Sequence, residues 1–185
     1  MRKTIIEVDF ANINRSANEV GITIDYEDLL HYLTYTYNVL ESVIHLGVNP
    51  RNASNSEDLI EYLGSAGWMV KPKIGTVAGK GFKANVDSEV VVDCMHHRFI
   101  NGIDMLILCS GDGDFIPLVR YLRNYAGVYV CVAAFKHSCS SHLILEANSF
   151  IDMEVYYKDF KERTTIESGV LNHEENFVDA EYVIE

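Results

Sequence analysis

Asp112 and Asp114 stand two residues apart at the end of the run Asp104-Met-Leu-Ile-Leu-Cys-Ser-Gly-Asp-Gly-Asp-Phe115. Residues 105–109 have the length and composition of a strand buried on both faces, as in a parallel sheet. Ser110-Gly111 breaks that strand and leaves both acids at its carboxyl end. Open α/β sheets bind their ligands at this edge. Two carboxylates so close raise one another's pKa unless a cation sits between them, and a divalent ion is the natural partner. Such an ion can activate water and neutralise charge building on a phosphate ester.

Other acids point to the same place. Asp9 follows the apolar segment Thr4–Val8, and Asp87 lies in the first turn of an apolar helical segment from about Val86 to Ile100. A helix that follows a strand begins at the carboxyl edge of the sheet, and in doubly wound sheets the first and fourth strands are often neighbours. Topology therefore gathers Asp9, Asp87 and Asp112 with Asp114 from distant parts of the chain. A set of oxygen donors without His or Cys favours Mg²⁺ or Mn²⁺ over zinc.

Each acid also has a plainer reading. Asp114 could cap a helix starting at Phe115, with Pro117 tolerated in the first turn. Asp87 could complement a helix dipole. Asp93 is rotated about 120° from Asp87 on a helix and could face solvent or support a ligand from behind. Asp9, with Asn12 after it, has no obvious structural task. His96-His97 reads as a surface or dipole-favoured pair rather than a ligand set.

The elements that must position these residues alternate strand and helix. Strands are expected at 4–8, 39–46, 68–74, 105–109, 128–134 and 151–157. Helices are expected at 24–37, from Ser54 or Ser56 to 63, at 86–100, at 115–125, and from Ser138 or Ser140 to 147. This pattern predicts right-handed crossovers and a parallel sheet covered on both faces. The segment 75–85 reads as a loop. From Lys71 to Asn85 the chain carries Lys71, Lys73, Lys80, Lys83, three glycines and no acid, immediately before Asp87. A basic loop beside an acidic metal site is a phosphate guide, and Arg15, Lys136 and His137 could extend its rim.

The chain has 185 residues, 48% of them hydrophobic, which fits one domain with a sizeable core. Its net charge of −12 argues against a general nucleic-acid binder held by bulk electrostatics. Half of that charge lies in residues 159–185, where eight acids face only Lys161 and Arg163. No apolar run spans a bilayer. The opening Met-Arg-Lys-Thr-Ile-Ile is interrupted too early by Glu7 and Asp9 to be a signal peptide. Cys94, Cys109, Cys131 and Cys139 show no CxxC spacing, so reduced thiols and a cytoplasmic location are expected.

Four segments carry a family resemblance. Asp9-Phe-Ala-Asn12 resembles the D-x-x-N opening of NYN domains, the LabA-like branch of the PIN-like nucleases. Val86-Asp-Ser-Glu-Val-Val-Val-Asp93 is similar to their V-D-x-x-x-x-x-D helix. Cys109-Ser-Gly-Asp-Gly-Asp-Phe-Ile-Pro-Leu-Val119 is similar to their S-G-D-x-D-F-x-P-L block, and residues 140–152 look like the closing helix and strand. Phe10 departs from the usual glycine, and Lys83-Ala-Asn-Val-Asp87 is one residue longer than K-G-V-D.

The resemblance implies a PIN-like, Rossmann-like α/β/α sandwich with a mainly parallel sheet of five or six strands. It implies a Mg²⁺- or Mn²⁺-dependent ribonuclease, with metal held by Asp9, Asp87 and Asp112 and with Asp114 in the catalytic set. Asn12, Asp93 and Ser110 would support these acids, and RNA would contact Lys71, Lys73, Lys80, Lys83 and Arg15. On this reading residues 1–158 form the NYN domain and residues 159–185 an acidic tail. The tail could bind a protein partner, cover the basic loop or mediate a homo-oligomer, and a short strand is expected near 182–184. The rival reading is a non-catalytic RNA- or protein-binding regulatory module that keeps the fold; a third is a phosphatase of small substrates.

Overall fold

In the computed structural model, residues 2–168 are described apart from positions 36, 52 and 80. The expected tail strand near 182–184 lies outside them. The elements run β1 (Lys3–Asp9), α1 (Phe10–Glu19), α2 (Tyr26–Thr34), β2 (Asn38–Val48), α3 (Ala53–Ser65), β3 (Met69–Ile74), β4 (Thr76–Ala78) and β5 (Gly81–Lys83). They continue with α4 (Asp87–His96), β6 (Met105–Cys109), α5 (Ile116–Asn124), β7 (Tyr129–Ala134), α6 (Ser141–Glu146), β8 (Ser149–Asp152) and α7 (Met153–Ser168).

Six strands form one sheet in the order β3-β2-β1-β6-β7-β8, and every pairing in it is parallel. The helices flank this sheet, giving the expected α/β architecture. Strand order reverses between β1 and β6, so the switch point lies where Asp9 and Ser110 leave the sheet. Both central strands are buried over almost their whole length, which is why they read as continuous apolar runs. Ile5, Ile6, Val8, Leu106, Ile107 and Leu108 form the floor of the core, and Phe115 and Val119 pack onto it from α5 and the turn before it.

Several expected boundaries move. Residues 10–19 carry no helix in the sequence reading, yet α1 starts directly at the end of β1. Its polar composition hides a short apolar stripe of Phe10, Ile13 and Ala17 at helical spacing. The segment 75–85 is not simply a loop: β4 and β5 form an antiparallel hairpin with Val77 opposite Phe82. Gly75 lets the hairpin fold back, since a Cβ there would meet the Phe82 ring at 2.6 Å and the Lys83 carbonyl at 2.9 Å. The helix expected over 86–100 ends at His96 and passes into one π-helical turn, His97–Asn101. The strand expected over 151–157 is shorter and earlier, because the chain enters α7 at Met153.

Candidate metal centre

The carboxyl edge of the sheet assembles the acids. Asp9 is the last residue of β1 and the N-cap of α1. Its Oδ1 accepts the Asn12 backbone N–H at 3.1 Å, and its Oδ2 accepts the Ser110 hydroxyl at 3.4 Å. Asp9 therefore has a structural task that the sequence did not disclose. The loop after β6 is pinned in turn. Asn12 Oδ1 accepts the Gly111 N–H at 2.9 Å, and Ser110 Oγ accepts the Asp112 N–H at 3.2 Å. A Cβ on Gly111 would lie 2.9 Å from Cys139 Cα, so this loop packs closely on the segment before α6.

Asp112, not Asp114, is the capping acid. It caps a 3₁₀ turn, Gly113–Phe115, and accepts the Asp114 N–H at 2.9 Å. The helix that follows has no side-chain cap, and Pro117 sits in its first turn as expected. Asp114 is thereby left with an exposed carboxylate, while Asp87 opens α4 beside it. Asp87, Asp112 and Asp114 each offer a carboxylate oxygen to a common space, and those oxygens lie within 4.8 Å of one another.

The electrostatics are those of a site built for positive charge. Asp9 is only 5% exposed, and burial pushes its carboxyl up to about 6. The Asn12 N–H opposes that rise, and Asp87 and Asp112 add to it, which ties Asp9 to the cluster in front of it. Asp87 is also raised, first by burial; the hydrogen bond with Asn85 offsets this, Asp112 and Asp114 reinforce it, and Lys73 pulls the other way. An all-oxygen set of this kind fits a hard divalent cation.

Asp93 goes elsewhere. It points at Lys71, whose Nζ lies 2.6 Å from its Oδ2, and at His45 of β2. Lys73 is likewise engaged: its ammonium lies 2.6 Å from Glu89 Oε1 and donates to the Asn85 carbonyl at 2.5 Å. Lys83 on β5 and Arg15 on α1 are exposed, and Lys80 lies outside the described residues. Lys136 is exposed, and His137 sits between Glu19 and Glu154, 3.2 Å from each.

Residues that sequence reasoning missed form a second polar group behind the first. Glu7 is fully buried on β1, and burial pushes its carboxyl up to about 7 despite a hydrogen bond from His45. His97 is buried too, near Glu41 and Glu7, which corrects its expected place on the surface; His96 alone is exposed. The available signal was a single Glu inside an apolar strand, two residues before Asp9 and on the same face.

Residues 3–154 match the NYN domain family. No curated protein matches the chain in sequence. Among solved structures, a Vibrio parahaemolyticus protein of unknown function is similar, with a TM-score of 0.68 and 24% identity, covering 82% of this chain and 92% of its own. A mutant of T5 5′-exonuclease aligns more distantly, with a TM-score of 0.39 and 18% identity, over 71% of this chain and 50% of its own. With the D-x-x-N and S-G-D-x-D-F segments placed on facing sides of one switch point, the chain belongs to the NYN domain family.

Proposed function

We propose that this NYN domain is a Mg²⁺- or Mn²⁺-dependent ribonuclease that hydrolyses RNA phosphodiester bonds. The supporting observation is the convergence of Asp87, Asp112 and Asp114 within 4.8 Å, with buried Asp9 electrostatically coupled behind them. On this reading Asp9, Asp87 and Asp112 hold the ion, and Asp114 completes the catalytic set. When bound, such an ion lowers the pKa of a water and neutralises charge on the phosphate.

The chain's own residues arrange the rest. Ser110 and Asn12 fix the orientation of Asp9 and the path of the 110–114 loop. Gly113 lets the turn beside Asp112 pack closely on Ser140, whose Oγ would lie 3.3 Å from a Cβ there. Lys83 and Arg15 offer exposed positive charge to the RNA backbone, whereas Lys71 and Lys73 are engaged by Asp93 and Glu89. Family membership supports a nucleic-acid substrate, and the four free cysteines support a reducing, cytoplasmic setting.

The test is cleavage of single-stranded and structured RNA by purified protein with Mg²⁺, Mn²⁺ or EDTA. Wild type should cut only with metal, and Asp112→Asn should lose the activity. Equal cutting by both proteins would overturn the proposal. Tight RNA binding by wild type without any cutting would instead make the chain a non-catalytic binding module.

A further inference from the structure

β1 carries two acids on one face, and only the second belongs to the cluster described above. Glu7 meets His45 of β2 and Asp93 of α4. His45 Nε2 lies 2.8 Å from Glu7 Oε2 and 3.4 Å from Asp93 Oδ2. One ligand atom from each of these three residues lies within 4.8 Å of the other two. Ligands at about 2.0–2.2 Å from an ion sit about 3.0–3.5 Å apart; the 3.4 Å spacing falls in that range, and the 2.8 Å hydrogen-bonded pair would open by a few tenths of an ångström to admit one.

Hydrogen bonding leaves this group incomplete. Both carboxylates face the same ring nitrogen, which has at most one proton to share. Glu7 Oε1 and His45 Nδ1 are buried without a hydrogen-bond partner. His97 Nε2 stands 4.0 Å from Glu7 Oε1, beyond hydrogen-bond reach. Positive charge comes from Lys71, whose ammonium holds Asp93 from a side chain that is 37% exposed.

A divalent ion among the three would serve both carboxylates and the unpartnered Glu7 Oε1 at once. It would take the place of the Lys71 ammonium beside Asp93. His45 Nε2 would become a ligand, Glu7 could use its second oxygen, and Lys71 is exposed enough to swing into solvent. A cavity of about 330 Å³, lined by His45, Lys71, Lys73, Ser88, Glu89 and Asp93 among others, supplies an entry path and room for water ligands. One imidazole with two carboxylates suits zinc, whereas Mg²⁺ and Ca²⁺ prefer oxygen alone.

We propose that Glu7, His45 and Asp93 form a zinc site separate from the Asp87–Asp112–Asp114 cluster. The structure gives it a distinct chemistry: a buried, nitrogen-containing centre next to an exposed, all-oxygen one. By its position behind Asp9 and α4, the zinc would brace β1, β2 and α4 against one another.

Co²⁺ serves as the optical probe for this site. Full-length protein stripped with chelator is titrated with Co²⁺, and the visible absorption of nitrogen-bound, four- or five-coordinate Co²⁺ is recorded, then displaced with Zn²⁺. Wild type and Asp112→Asn should both develop the absorption, and His45→Asn should not. Lys71→Met removes the competing ammonium and should tighten Co²⁺ binding by about tenfold. This variant changes a partly exposed side chain, so it decides the matter even if His45→Asn fails to fold. An absorption that persists in His45→Asn, or one absent from wild type and from Lys71→Met, would overturn the proposal. Neither result bears on RNA cleavage, which is read at Asp112.

Discussion

Asn12 Oδ1 accepts the backbone N–H of Gly111 at 2.9 Å and so joins the first turn of α1 to the loop that presents Asp112 and Asp114. The same residue donates its own N–H to Asp9, so one buried asparagine positions both walls of the acidic centre. Replacing it with alanine leaves the Gly111 N–H without its partner in a buried setting. Asn12→Ala should lose about 1–3 kcal/mol of stability, measured by denaturant unfolding. Metal-dependent cleavage should fall further than the stability loss explains at a temperature where the variant is still folded.

Gly111 tests the same wall by crowding. A methyl group there would stand 2.9 Å from Cys139 Cα, a backbone atom that cannot rotate away. Gly111→Ala should destabilise the fold by about 1–3 kcal/mol and displace Asp112. Melting temperature and Mn²⁺ affinity, measured together, should both decline.

The pH dependence of stability follows from Asp9. Its carboxyl has an ordinary value of 3.8 and is pushed up to about 6 in the fold, chiefly by burial. A raised value means the folded state holds the proton more tightly than the unfolded chain. That contribution to stability is complete below about pH 4 and is lost as pH rises through about 6. In EDTA, Asp9→Asn should therefore exceed wild type by on the order of 2–3 kcal/mol at pH 8 and converge with it near pH 4. Asparagine can still cap α1, so the helix start is preserved. With Mn²⁺ present, wild type alone should gain stability.

Two lysines of the basic segment should separate in behaviour. Lys83 is exposed on β5, whereas Lys71 is bound to Asp93. Lys83→Ala should weaken RNA binding and lower the slope of log affinity against log salt by about 0.7, the share of one phosphate contact on a single strand. Lys71→Ala should leave that slope nearly unchanged. Fluorescence anisotropy over a salt series distinguishes the two.

The architecture was legible where burial writes itself into composition. The runs Thr4–Val8 and Met105–Cys109 announce central parallel strands because both faces are covered, and the acids at their ends follow from topology. The D-x-x-N and S-G-D-x-D-F segments led correctly to the family. What the sequence concealed was the exchange of tasks between acids. Asp9 caps a helix too polar to recognise, and Asp112 takes the capping role expected of Asp114. Lys71 and Lys73 read as a free basic stretch, yet acids of α4 lie 2.6 Å from each. Those pairings cross from β3 to α4, and no local pattern encodes them. Glu7 and His45 were hidden for the same reason, since their pairing crosses from β1 to β2.

The central claim is that the acids at the β1–β6 switch point hold a divalent cation. Crystals grown with Mn²⁺ and measured for anomalous scattering test it most directly. The expected result is a peak within about 2.0–2.4 Å of carboxylate oxygens of Asp87 and Asp112, lost in Asp112→Asn. An acidic cluster without anomalous density at saturating Mn²⁺ would contradict the account.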